Sequence, residues 1–217
     1  HPVAHSFPTR RSSDLLNIED RTNGGSVEGT TDAPDGTTVT VSVRDALGDP
    51  AIAPLTGSVT GGAFAVPVAA ADIAALMDDA DYTIEVTIDD TAGNTGSSGA
   101  VTVSTDFTPP SLSVDPLSVN AELDAREQTE PLTVTGTSDA IGRTVTVTLG
   151  GETAQGTVAG DGTWSATFIS DQLGGLADGA SLAVAAEIED AGGNAATQSV
   201  GLDTDFTPIV TLDTVAQ

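Results

Sequence analysis

The stretch DYTIEVTIDDTAGN at 81–94 decides the fold, and it occurs twice: SLAVAAEIEDAGGN at 181–194 carries the same pattern 100 residues later. Tyr82, Ile84, Val86 and Ile88 alternate with Thr83, Glu85 and Thr87. Leu182, Val184, Ala186 and Ile188 hold the same register in the second copy. A period of two puts successive side chains on opposite faces of a strand, so each copy reads as a half-buried antiparallel strand. Asp, Gly and Asn follow at once, residues whose backbone and side chains favour turns.

The same period extends outward. In TTVTVSV (37–43), Val39, Val41 and Val43 share one face, with Thr38, Thr40 and Ser42 on the other. Further strands are expected around Leu16 and Ile18, Val27, Val59, Phe64 with Val66 and Val68, and Val101 with Val103. The second half offers Leu112 and Val114, Leu132 and Val134, Trp164 with Ala166 and Phe168, and Val200 with Leu202. About seven short strands per domain, spaced by Gly, Asp and Asn turns, predict an all-β fold of two tandem immunoglobulin-like sandwiches. ADIAALM (71–77) is the one helical pattern, a turn or two before the sixth strand, F. Phe64 and Trp164 occupy equivalent strand positions, and Tyr82 starts strand F, where a tyrosine can pin a corner or simply pack. Phe107 and Phe206 are read as linker residues that wedge between neighbouring domains.

Two other motifs recur. TDFTP stands at 105–109 and 204–208, and GTTDAPDGTTVTV (29–41) matches GTSDAIGRTVTVT (136–148). The offset falls from 107 to 100 between the early and late motifs, which places about seven extra residues of the first repeat in DALGDPAIAP (45–54). IVTLDTV (209–215) resembles SLSVDPL (111–117), so a third repeat is expected to start there. The expected domains are 16–105 and 106–204, with 205–217 a linker and first strand of a truncated repeat. HSFPTRRSSDL (5–15) differs from all that follows and reads as a translated sequencing adapter, so residues 1–15 are set aside as non-native and the chain is read as an array cut at both ends.

The 217 residues carry 32 acidic and 6 basic side chains, a net charge of −26, and no cysteine. That charge excludes nucleic acid as a partner, because phosphate binding needs a basic face. With 38% apolar residues the chain still has core-forming material, unlike an acidic disordered tail. Disulfides and thiolate metal sites are excluded. No apolar run approaches the roughly 20 residues that cross a bilayer as a helix, so direct membrane insertion is not expected. Beyond residue 15 there is no histidine, lysine or cysteine, which removes the usual bases for a Ser or Thr nucleophile. Two carboxylates could hydrolyse a glycoside, but that needs a cleft and sugar platforms, while the aromatics here have structural places. A non-enzyme is expected.

Oxygen chemistry remains. Hard cations take six to eight oxygen ligands, mostly carboxylates and carbonyls. In an immunoglobulin-like topology the B–C and F–G loops meet at the end where the chain enters. In the second repeat that end gathers Asp139, Glu189, Asp190 and Asn194, with Asp106 in the incoming linker. The matching set in the first is Asp32, Asp35, Asp89, Asp90 and Asn94, and Asp205 is the next linker acid. The opposite end of the first repeat offers Asp78, Asp79 and Asp81. Two readings stand: calcium at the domain junctions, relieving carboxylate repulsion, or turn-forming acids on a solvated surface.

The early GTxD, the ADIAAL turn, IDDTAGN before the last strand and DFTPP in the linker together resemble the tandem bacterial immunoglobulin-like repeats of giant surface adhesins, of the biofilm-associated and RTX types. The resemblance covers nearly all of 16–217. It implies a secreted, cell-surface extender in which calcium at the linkers stiffens the array, neighbouring repeats are the partners, and a host or surface ligand binds elsewhere in the full protein. It carries over to Asp106, Asp205, Asp90 and Asp190 by motif. The second repeat departs from the first, with Glu189 for Asp89 and IGR for APDG, so it lacks an equivalent of Asp35. The alternative is a carbohydrate- or ligand-binding accessory repeat of a secreted hydrolase, which coplanar exposed aromatics would favour.

Overall fold

The computed structural model describes residues 15–89, 93–117 and 121–207. They divide into two compact units that meet between Thr108 and Pro109. The segment read as a third repeat, and Asp90, lie outside the described residues.

In the first unit the alternating segments form β1 (Leu15–Leu16), β2 (Gly25–Thr30), β3 (Thr38–Arg44), β4 (Leu55–Ser58), β5 (Ala63–Val68), β6 (Asp81–Asp89) and β7 (Thr95–Thr105). One sheet has the order β1-β7-β6-β3-β4, and β2 pairs with β5 in the other. The apolar faces read from the sequence pack together: Val39, Val41, Val43, Phe64, Val66, Val68, Tyr82, Ile84 and Val86 are all buried in one cluster. This is the immunoglobulin-like sandwich, two sheets closed over their alternating inner faces.

The second unit repeats it with β8 (Leu112–Val114), β9 (Glu122–Asp124), β10 (Leu132–Ser138), β11 (Thr144–Leu149), β12 (Glu152–Thr157), β13 (Thr163–Phe168), β14 (Ser181–Glu189) and β15 (Ala195–Asp205). Its sheets run β12-β11-β14-β15-β9 and β13-β10-β8. In both units a strand close to the start of the sandwich lies parallel to the last one, β1 on β7 and β9 on β15. Gly29 sits across from Phe64 and Gly136 across from Trp164, so each large ring lies beside a residue with no side chain.

The changing offset between repeats has a structural address. Seven more residues separate Val41 from its partner Leu55 than separate Val147 from Ala154, and they form the 45–54 loop. One further residue is absorbed in β7, where Ser98 and Gly99 together oppose Val86. Gly99 takes φ +75°, the left-handed backbone of a bulge, and the Ser98 hydroxyl accepts the Val86 N–H at 3.1 Å.

The structure corrects two expectations. Ile18 is not in a strand: it opens the helix α1 (Ile18–Asn23), because Asn17 Oδ1 accepts from the N–H groups of Glu19 and Asp20 while Asp20 accepts from Asn17 N–H. This reciprocal cap ends the strand after Leu16. Asp124 and Glu127 build the same cap on a 3-10 turn (Glu127–Thr129) in the second unit. Phe107 is not a linker wedge; it is 3% exposed in the first unit's core, with the Arg21 guanidinium 4.9 Å above its ring. Phe206 likewise packs on its own unit's cluster. The expected turn before strand F is present as α2 (Ala70–Ala74), and α3 (Ser170–Leu173) matches it.

Candidate metal centre

Sequence places an acid in the turn before strand F of each unit, Asp78 in one and Asp178 in the other, and the TDFT segment just past the last strand. Folding joins them. Asp78 Oδ1 accepts the Phe107 N–H at 2.6 Å, and Oδ2 accepts the Thr108 hydroxyl at 2.5 Å. Asp178 accepts the Phe206 N–H at 2.7 Å and also the Thr207 hydroxyl. One step earlier, Thr105 donates to the Met77 carbonyl and accepts the Ala80 N–H, as Thr204 does with Ala177 and Ala180. TDFT is therefore a fastening: its first and last side chains bind the turn while Phe packs on the core.

These bonds stabilise the ionised carboxylates. The Thr108 hydroxyl first, and then the Phe107 N–H, hold Asp78 below the usual carboxyl range, with Arg21 adding a smaller attraction. The Thr207 hydroxyl and Phe206 N–H do the same for Asp178. Both side chains are exposed, so the effect concerns proton affinity more than bond strength.

In the first unit two further carboxylates join Asp78. Oxygens of Asp78, Asp79 and Asp106 lie within 4.8 Å of one another, the single group of three or more potential metal ligands among the described residues. Asp79 has a left-handed backbone, φ +51°, which turns its carboxylate back beside its neighbour; Gly179 takes that position in the second unit at φ +65°. The second unit thus keeps Asp178 and Asp205 and lacks the third acid. Three hard anionic oxygens suit a calcium-type ion in kind, though six to eight ligands mean that waters or carbonyls would supply the rest. Asp81 takes another path, accepting the Ser104 hydroxyl at 2.5 Å; in the second unit the two residue types swap strands, and Ser181 donates to Asp203.

The acids at the other end hold loops. Asp35 accepts the Gly61 N–H at 2.8 Å, and Asp89 accepts the Thr95 hydroxyl at 2.6 Å. Asp32 and Asn94 line one open groove. In the second unit Asp139 accepts the Ser111 N–H at 2.9 Å, fixing the incoming chain. Asp190 accepts both the backbone and the side-chain N–H of Asn194, which is fully buried. Arg143 donates from Nε to the Glu189 carbonyl at 3.0 Å and from Nη2 to the Asp190 carbonyl at 2.5 Å. The second repeat has no equivalent of Asp35; Arg143, which takes the place of Thr37 after the matching turn glycine, is a resident cation that binds the F–G loop backbone. Asp106 and Asp205 each accept a Thr N–H two residues on. Asp106 falls in the first unit with Asp78 and Asp79, whereas Asp139, Glu189 and Asp190 belong to the second.

No family model matches the chain, and no curated protein matches it. Solved structures do. A Ca2+-stabilized adhesin that helps an Antarctic bacterium reach out and bind ice shares 24% identity over 95% of this chain and 50% of its own, at a TM-score of 0.52. Fibronectin(III)-like modules of Clostridium thermocellum CbhA match over 98% of this chain and 100% of theirs, at 11% identity and a TM-score of 0.50. These likenesses establish the tandem sandwich fold. The chain spans half the length of the adhesin structure it matches.

Proposed function

We propose that this chain is a run of extender repeats from a secreted bacterial surface adhesin, a non-enzymatic spacer that holds an adhesive domain away from the cell, with calcium stiffening it. The observation that carries the reading is the fastening at the exit of each sandwich. Thr108 is bound to Asp78 and Ser111 to Asp139, so two prolines, Pro109 and Pro110, are all that separates the last bonded residue of one unit from the first of the next. Proline fixes φ and stiffens a linker, which suits a spacer better than a hinge.

Calcium is assigned to Asp78, Asp79 and Asp106, and the adhesin of similar fold is itself Ca2+-stabilized. The ion would supply charge neutralisation; the chain's own part is to hold three carboxylates together at the end of a sandwich. A supporting role in biofilm formation is part of the same reading. The sugar-binding alternative is not favoured: the large apolar side chains exposed among the described residues are Ile18, Leu47, Met77, Ile141 and Ile169, none of them aromatic. No helix among those residues is long and apolar enough to cross a membrane.

Solution scattering tests the proposal. An extender gives a maximum dimension near the end-to-end length of two sandwiches, with flexibility that falls when calcium is added. A profile equally flexible with calcium and with chelator would remove the stiffening role.

A further inference from the structure

We propose that the first unit hydrolyses its own backbone at the Asp49–Pro50 bond in mild acid and stays folded around the cut. The bond lies in the 45–54 loop, where the second unit has only the turn Gly150–Gly151 between β11 and β12. Aspartate followed by proline meets two chemical requirements. The carboxylate can close a five-membered ring on its own carbonyl carbon, an intramolecular attack of high effective concentration. Proline has no N–H, so the competing ring closure, in which the next backbone nitrogen attacks the side chain, is shut off.

The loop adds what the dipeptide alone lacks. The Asp45 N–H donates to the Asp49 carbonyl oxygen at 2.9 Å, so a donor already sits on the oxygen where negative charge develops during attack. Asp45 Oδ1 accepts the N–H groups of Leu47 and Asp49, each at 2.9 Å, and the Arg44 guanidinium donates to the Gly48 carbonyl at 3.0 Å. These bonds fix the backbone on the N-terminal side of the bond. The Asp49 carboxylate itself is exposed and takes no hydrogen bond among the described residues. Asp45 and Arg44 are the charged groups bonded to the loop; β4 carries none, and on β6 Glu85 sits opposite Ser42 and accepts the Ser97 hydroxyl. Asp115–Pro116 is the internal comparison, because its carboxylate is held by the Thr135 hydroxyl at 2.8 Å.

The ionised Asp49 Oδ forms a bond to the Asp49 carbonyl carbon, giving a cyclic anhydride as the C–N bond to Pro50 breaks. That electron pair stays on the proline nitrogen, which takes a proton from solvent. Water then opens the anhydride, leaving two carboxyl groups on Asp49 and a free amine on Pro50. Both sides of the cut remain held: β2 stays paired with β5 and β3 with β4 and β6, and the Ala51 N–H donates to the Val43 carbonyl at 2.9 Å. In a load-bearing array this exchanges a covalent joint for a hydrogen-bonded one, which tension can part.

Denaturing electrophoresis and intact mass of the full chain, held for days at about pH 4.5 and at pH 7, test the proposal; the acid arm stays above the pH at which unfolding is expected. The expected products are 1–49 and 50–217, with masses that sum to the parent plus one water, formed about tenfold faster than any cut at 115–116. They elute together as one folded particle until denaturant is added. Asp49→Glu, which needs a six-membered ring, and Pro50→Ala each slow the cut about tenfold or more. In urea at the same pH the two Asp–Pro bonds are cut at similar rates, because the Asp45 donor is no longer in place. No cut at 49–50 in the folded chain, fragments that separate without denaturant, or equal rates at 49–50 and 115–116 in the folded chain overturns it. None of these outcomes depends on calcium or on the extender reading.

Discussion

The carboxylate of Asp78 accepts the hydroxyl of Thr108 at 2.5 Å across thirty residues of chain, and Asp178 binds Thr207 in the same way. A turn at the foot of strand F thus fixes where the chain leaves each sandwich. Asp78→Ala and Thr108→Val are each expected to lower the melting temperature of the first unit. The double variant should lose less than the sum, because both remove one shared bond. Fully additive losses in a double-mutant cycle would show that the pair is not coupled.

The same bonds set an acid limit. Asp78, Asp178 and Asp161 all have carboxyls held below the ordinary 3.8, Asp161 by the Thr163 hydroxyl and then its N–H. A carboxyl that binds protons less readily folded than unfolded contributes stability that is complete above the ordinary value and is lost as pH falls through the depressed one. Melting temperatures measured downward from pH 7 should therefore fall below about pH 4, and more gently in a D78N/D178N/D161N variant. A variant as steep as the parent would assign the acid limit to other groups.

The Trp164 indole N–H is buried and has no hydrogen-bond partner. An unmade buried bond costs about 1–3 kcal/mol. Trp164→Phe, the residue type found at position 64, is expected to stay within about 1 kcal/mol of the parent, since the removed penalty offsets the lost apolar surface. Trp164→Ala should cost about 3–5 kcal/mol. Gly136→Ala should be damaging as well, because an added Cβ would stand 2.0 Å from the Ser113 carbonyl and 2.6 Å from the Trp164 ring. Denaturant unfolding compares them, and equal losses for the Phe and Ala variants of Trp164 would contradict this account.

Arg143 binds the backbone of the F–G loop through two carbonyls. Arg143→Met keeps most of the stem and removes both bonds. The expected loss is about 1–3 kcal/mol, with faster amide exchange at Gly193 and Asn194. Unchanged exchange there would mean that the Asp190–Asn194 bonds hold the loop unaided.

Much of the fold was legible because a two-residue period needs only local sequence: Val39, Val41 and Val43, or Ile84 and Val86, declare their inner face wherever they pack. The repeat located the 45–54 insertion for the same reason. The helix at Ile18–Asn23 was harder, since six residues show no helical period; Asn17 with Asp20 three positions on was the available signal. Phe107 looked like a linker residue because the strand before it ends, and it is the Asp78 bonds and the burial of its ring that show the chain is still part of the sandwich. The acid cluster was half visible. Asp78, Asp79 and Asp106 could each be named, yet their convergence depends on the φ of Asp79 and on a contact across some thirty residues, neither of which spacing encodes.

Calcium binding at Asp78, Asp79 and Asp106 is the central claim, and the repeat supplies its own control. Asp79→Gly copies the second unit, and a residue at φ +51° loses little by becoming glycine, so the calcium-free melting temperature should hold or rise slightly. With a Kd of about 1 mM, as in many extracellular modules, about 10 mM calcium would add about 1.4 kcal/mol. That is a rise of roughly 5–10 °C for a domain of this size. The measurement is the melting of the parent, D79G and G179D chains with calcium and with chelator. The account predicts a calcium-dependent rise in the parent, its loss in D79G and a second responsive transition in G179D. A parent melting temperature indifferent to millimolar calcium would contradict it.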